Sequence, residues 1–197
     1  MKSSLLILFC FAVINISIAQ DDIPSPEAQI KSAVMAAPAD KRDGATVYGY
    51  NENNELVVLR EGTNEMICLA DDPKQSGFNA SCFHKELESF MTRGWDLRKE
   101  GKSSQEIFDM REEEVKSGKL EMPENGSTLF VYSASEENYN KETGEVKDGN
   151  FRYVVYIPFA TSESTGLPLK PEAPGMPWIM DPGTHRAHIM INPPADK

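Results

Sequence analysis

The sequence predicts an α+β domain: a mostly antiparallel sheet of about five to six strands with two to three helices packed on one face, and a Pro-rich C-terminal segment docked on the domain. Three observations predict it. Apolar residues recur at helical spacing near the start and in the middle of the chain. Runs rich in β-branched and aromatic residues lie between and after those segments. Clusters of Gly, Pro, Asn, Asp and Ser separate the two kinds.

The first helix is written in "SPEAQIKSAVMAA". Ser25 is its cap, Pro26 its first residue and Glu27 lies in its first turn, while Pro38 ends it. "ATVYGY" and "ELVVLR" flank the Asn-rich "NENN" and read as a β-hairpin. "EMICLA" is a third strand. Phe83, Leu87, Phe90, Met91 and Trp95 then draw one apolar stripe, which predicts a helix over about 81–100. A second helix follows in "SSQEIFDMREEEVKSG", with Ser103 and Glu106 as a capping box, Ile107, Phe108 and Val115 as core contacts, and Gly118 as its terminator. "STLFVYSA" and "FRYVVYIPF" are two long strands joined by a polar, turn-rich connection with room for a short ribbon. From residue 160 the chain is too rich in proline for a long helix, and "AHIMI" reads as a closing strand.

The N-terminal "MKSSLLILFCFAVINISIAQDD" has one Lys, an apolar run from Leu5 to about Ile14, and Ser17 and Ala19 in a small-x-small pattern. Residues 1–19 therefore read as a signal peptide, and 20–197 as a single exported α+β domain whose Pro-rich tail, 160–197, is part of the fold. No other stretch approaches the ~18 consecutive apolar residues a spanning helix needs, so no membrane insertion is expected. The expected location is periplasmic or extracellular. Cys10 leaves with the signal, and Cys68 and Cys82 remain. In an oxidising compartment these two are expected to form a disulfide across the turn-rich segment between them. The formal net charge of −11 repels phosphate backbones and anionic lipids, so nucleic-acid binding is disfavoured.

Candidate chemistry concentrates in "MDPGTHRAHIMI". His185 and His188 would share a metal-holding face only on a helix; on a strand they point to opposite faces. The turn residues and flanking prolines favour a strand, in which His188 and Met190 face one way and Ala187, Ile189 and Ile191 the other. His188 is then the better pocket candidate and His185 a rim residue. His84, His185 and His188 are weak metal candidates, and no metal is predicted. The acidic runs Asp71-Asp72, Glu112 to Glu114 and Glu136-Glu137 read as solvated. There is no G-x-S-x-G elbow, no G-x-G-x-x-G and no Walker A, so no cofactor is predicted. Asn79 and Asn125 head N-x-S sequons.

Three phrases, "VLREGTNEMICLADDP", "SCFHKELESFMTRGWDLRKEGK" and "VVYIPFATSESTGLP…PWIMDPGTHRAHIMI", resemble a group of uncharacterised secreted bacterial proteins over about residues 45–191. The resemblance implies one exported domain and carries no established activity. The expected function is that of a non-catalytic small-ligand-binding or accessory domain, its ligand near Tyr156, Trp178, Asp181, His185 and His188. The alternative is an exported hydrolase or metal-dependent enzyme using His185 or His188 with Asp181. The partner is an unknown small molecule or protein, and the sequence does not set the oligomeric state.

Overall fold

A computed structural model of the chain describes residues 23–194; the signal-peptide expectation for residues 1–19 lies outside them. The first helix, α1 (Pro26–Ala33), begins as its sequence dictates: Ser25 Oγ accepts from the Ala28 amide at 3.2 Å, and a 3-10 turn over Val34–Ala36 follows. Strands β1 (Thr46–Tyr50) and β2 (Leu56–Arg60) form the expected hairpin, and β3 (Met66–Leu69) comes next. Strand β4 (Phe78–His84) then leads through a 3-10 turn into α2 (Glu88–Lys99) and α3 (Ser104–Lys116). The capping box at Ser103 and Glu106 is formed, and Gly118 follows the helix end at φ +74°. Strands β5 (Ser127–Ala134) and β8 (Asn150–Tyr156) are joined by a two-stranded ribbon of β6 (Tyr139–Asn140) and β7 (Glu145–Val146). A single turn, α4 (Ser162–Thr165), precedes β9 (Trp178–Met180) and β10 (His188–Ile191).

The α+β class holds, but the sheet is larger than the five to six strands expected. It has eight, in the order β2-β1-β3-β4-β5-β8-β10-β9. All neighbours are antiparallel except β1 and β3, which run parallel with Thr46 beside Ile67. The helix expected from about 81 begins only at Glu88, because residues 78–84 form a central strand paired on both sides by β3 and β5. Phe78, Ala80 and Cys82 alternate inward along it while Asn79 is exposed, and the double ladder prevails over the local helical spacing.

Helices cover both faces of the sheet rather than one. The inner strands are apolar on both sides, so each side needs cover. Val47, Cys68, Cys82 and Tyr132 pack with Ala33 and Ala36 on the α1 side. Tyr48, Ile67, Phe83, Leu129, Val154, Tyr156 and Met190 pack with Phe90, Met91, Trp95 and Val115 of α2 and α3 on the other. Cys68 and Cys82 lie directly opposite each other on β3 and β4. Their Cα atoms are 4.0 Å apart, their sulfurs are at disulfide distance, and both are fully buried. Among the described residues no helix is long and apolar enough to cross a membrane.

Candidate functional site

The residues singled out at the C-terminal end lie at one end of the sheet, with Tyr156, His185 and His188 buried. The chain after β8 zips against the segment before β10, with Ile157 N donating to Ala187 O at 2.9 Å and Phe159 N to Thr184 O at 2.7 Å. Asp181 (φ +51°) and Gly183 (φ +76°) make the turn, and Asp181 Oδ2 accepts from Arg186 Nε at 2.7 Å. This geometry drives His185 inward. It is fully buried, not on a rim as the sequence reading has it, and its ring lies against Phe90 and Phe108.

Its anchor is Glu112 of α3. Glu112 Oε2 accepts from the His185 amide at 2.8 Å and lies 2.5 Å from Nδ1. Burial raises the Glu112 carboxyl, but Lys116 and the His185 amide and ring outweigh it and hold it down at about 2. Burial lowers the imidazole against the opposing pull of Glu112. The pair is therefore a carboxylate accepting from a neutral ring whose Nδ1 carries the proton. Nε2 is buried with no hydrogen-bond partner among the described residues.

His188 sits on β10 opposite Tyr156, 7 % exposed, and its Nδ1 donates to the Arg186 carbonyl at 2.7 Å. Burial lowers this ring too, opposed by the Arg186 carbonyl and Asp181. His188 and Met190 share the α2–α3 face, in keeping with the alternation read from the sequence. Trp178 lies on the edge strand β9, opposite Met190. His84 ends β4, with β5 and β8 between it and β10, and its Nδ1 accepts only from the Glu86 amide. The three histidines do not converge. Among the described residues no group of three or more His, Cys, Asp or Glu side chains is placed to hold a metal.

Two adjacent clefts lie at the other end of the sheet. One, of about 450 Å³, is lined by Tyr48 and Tyr50 of β1, Leu56 of β2, and Thr92, Trp95 and Arg98 of α2. A second, of about 580 Å³, is lined by Asp71, Asp72, Asn79 and Ser81 beside β3 and β4. Tyr50, Asp72 and Arg98 line both, so the two adjoin. Alternation along β1 turns Tyr48 toward α2 while Val47 faces α1. The Tyr48 hydroxyl donates to Glu88 Oε1 at 3.1 Å, and its ring lies 5.3 Å from that of Trp95. The Tyr50 backbone is fixed by the buried Gln29 of α1, which accepts from the Tyr50 amide and donates to its carbonyl, both at 2.8 Å.

Asp71 is the group that stands out here. It is 8 % exposed, and its Oδ1 accepts from the Asn79 amide at 2.7 Å. Burial pushes its carboxyl up to about 6, against the Asn79 amide and Lys141, with Asp72 and Glu136 adding to the rise. Burial, with Asp72 and Asp71 nearby, likewise pushes the Tyr50 phenol to about 12. A buried carboxylate of raised pKa in an accessible cleft is a functional-site signature.

Neither Asp71 nor Glu112 is legible as special in the sequence, where both sit in acidic runs. A signal existed for each. Asp71 directly follows the apolar run Met66–Ala70, and Glu112 stands one helical turn after the half-buried Phe108. No family model, curated protein or solved structure matches the chain.

Proposed function

We propose that the protein is an exported, non-catalytic domain that binds a small ligand in the adjoining clefts between α2 and the β1–β4 end of the sheet. One observation carries this reading: a cleft of about 450 Å³ walled by Tyr48 and Trp95 shares Tyr50, Asp72 and Arg98 with a second, of about 580 Å³, that is lined by the buried carboxylate of Asp71. Those volumes fall in the range of small-molecule sites, and an apolar body flanked by a few fixed polar groups is how such sites work. The sequence reading puts the ligand near Tyr156, Trp178 and His188. We move it because Tyr156, His185 and His188 are packed at 9 % exposure or less, and both histidines spend Nδ1 on Glu112 or the Arg186 carbonyl.

Export is part of the proposal. It rests on the N-terminal apolar segment and on two buried cysteines at disulfide distance. The Pro-rich segment belongs to the same domain in this reading. Its last stretches supply β9 and β10, and the Pro168 carbonyl accepts from the Ile179 amide at 3.0 Å.

The test is a fragment screen by thermal shift, repeated on Trp95→Ala. Hits that stabilise the native protein and lose their effect in Trp95→Ala support the reading. Hits indifferent to Trp95 contradict it.

An exported hydrolase using His185 is the second reading, favoured only by the carboxylate-oriented imidazole of the Glu112–His185 pair. It requires the 181–188 segment to open. A hydrolase screen in which His185→Ala loses an activity that the Trp95→Ala variant keeps would establish it.

A further inference from the structure

We propose that one ligand spans the two adjoining clefts, carrying an ammonium group that pairs with Asp71 while its apolar or aromatic body lies against Tyr48 and Trp95. This rests on the reading of the clefts as a binding site and adds the chemical class of what enters them.

Asp71 is more than nine-tenths buried and spends one carboxylate oxygen on the Asn79 amide. Its second oxygen takes no hydrogen bond from the described residues, and none of their cations forms an ion pair with it. Lys141, whose charge reaches it, is held by Glu136 at 2.9 Å. Buried carboxylates in proteins are ordinarily paired or fully hydrogen-bonded, because desolvating an anion is costly otherwise. A half-satisfied carboxylate lining an accessible cleft therefore selects a cation from outside. The neighbouring surfaces agree. The rings of Tyr48 and Trp95, tilted at 59°, are apolar and carry negative faces that favour a cation over an anion. Asp72 lines both clefts; in the first, Glu55, Asp72 and Asp96 are matched by Lys74, Arg98 and Lys99, and in the second Asp71 and Asp72 face Arg98 alone.

Arg98 is exposed, lines both clefts and makes no ion pair with the described residues. A ligand carboxylate would meet it there. The ammonium group can therefore come from a simple amine or from a zwitterion such as an amino acid. Both share the Asp71 contact and differ at Arg98.

The experiment uses fluorescence. The chain has two tryptophans, so a Trp178→Phe protein reports from Trp95 alone. It is titrated at pH 7.5 with phenethylamine, phenylalanine, 2-phenylethanol and 3-phenylpropionate, alone and with Asp71→Asn. Phenethylamine is expected to bind at least tenfold more tightly than the alcohol and the carboxylate. Asp71→Asn is expected to abolish that preference, bringing phenethylamine to the affinity of 2-phenylethanol. If phenylalanine binds more tightly than phenethylamine and Arg98→Gln removes the margin, the source is a zwitterion; the opposite order assigns a simple amine.

Equal affinities across the neutral, anionic and cationic probes, or a preference that survives Asp71→Asn, overturn the inference while sparing the cleft as a binding site. If none of the four probes perturbs Trp95, both fall. Thermal melts of each variant establish that it is folded, and Asp71→Ser serves if Asp71→Asn is not.

Discussion

Replacing Asp71 with asparagine tests the electrostatics of the cleft from the folding side. The folded pKa, about 6, lies above the ordinary 3.8, so the folded state holds more protons than the unfolded state between those values. Stability contributed at this site therefore falls as pH rises through that window, and the full penalty applies above it. Asparagine keeps an acceptor for the Asn79 amide and carries no charge. Asp71→Asn is expected to be more stable than the native protein by roughly 1–3 kcal/mol at pH 7.5, the difference vanishing near pH 4. Urea melts at both pH values measure it. His185 and His188 carry the opposite sign. Their folded pKa values are lowered, so the unfolded state takes up more protons below pH 6.5 and stability drops as pH falls from there. Because Asp71 opposes that drop, the acid loss between pH 6.5 and 5 is expected to be steeper in Asp71→Asn. Glu112→Ala would leave the buried amide and Nδ1 of His185 without an acceptor and should cost about 2–4 kcal/mol, read by the same melts. The sequence shows these acids but not their burial. A run of like charges looks the same whether all its members are solvated or one of them turns inward against Asn79 or His185.

The elements were legible where local chemistry decides them. Ser25 and Ser103 cap the helices they precede, Gly118 ends α3, and Val47 and Tyr48 alternate across β1. Residues 81–84 were not, because their register is set by two neighbouring strands far away in sequence, and Phe83 happens to stand at helical spacing from Leu87. That same pairing puts Cys68 opposite Cys82. Mass spectrometry of the non-reduced protein is expected to find the two cysteines in one linked peptide pair; two free thiols would contradict the link. Closing a loop with a sequence separation of 14 stabilises by about 3 kcal/mol in the chain-entropy model, so the Cys68→Ala, Cys82→Ala double variant should lose a comparable amount in urea melts. Ser103→Ala removes the acceptor for the Glu106 amide and a partner of its carboxylate. It should cost about 1 kcal/mol without altering the fold.

The whole molecule is a sheet with two covered faces, and that arrangement puts the clefts where they are. α2 lies over the β1–β3 end of one face, so Trp95 and Arg98 overhang Tyr48 and Tyr50, while the connection from β3 to β4 carries Asp71 and Asp72 to the same place. The clefts are lined by segments near residues 50, 71, 79 and 95. They depend on the parallel pairing of β1 with β3 and on the two-sided helix cover, neither of which a local pattern encodes. The histidine-bearing strand, by contrast, is local enough to be read, and it proves to be core. The most direct test of this assignment is amide chemical-shift mapping of the full domain, with phenethylamine as the probe. Shifts confined to Tyr48, Tyr50, Asp71, Asp72, Asn79, Trp95 and Arg98, with residues 185–190 unmoved, are the predicted result. Shifts centred on His185, Tyr156 and His188, or none anywhere at millimolar probe, would contradict it.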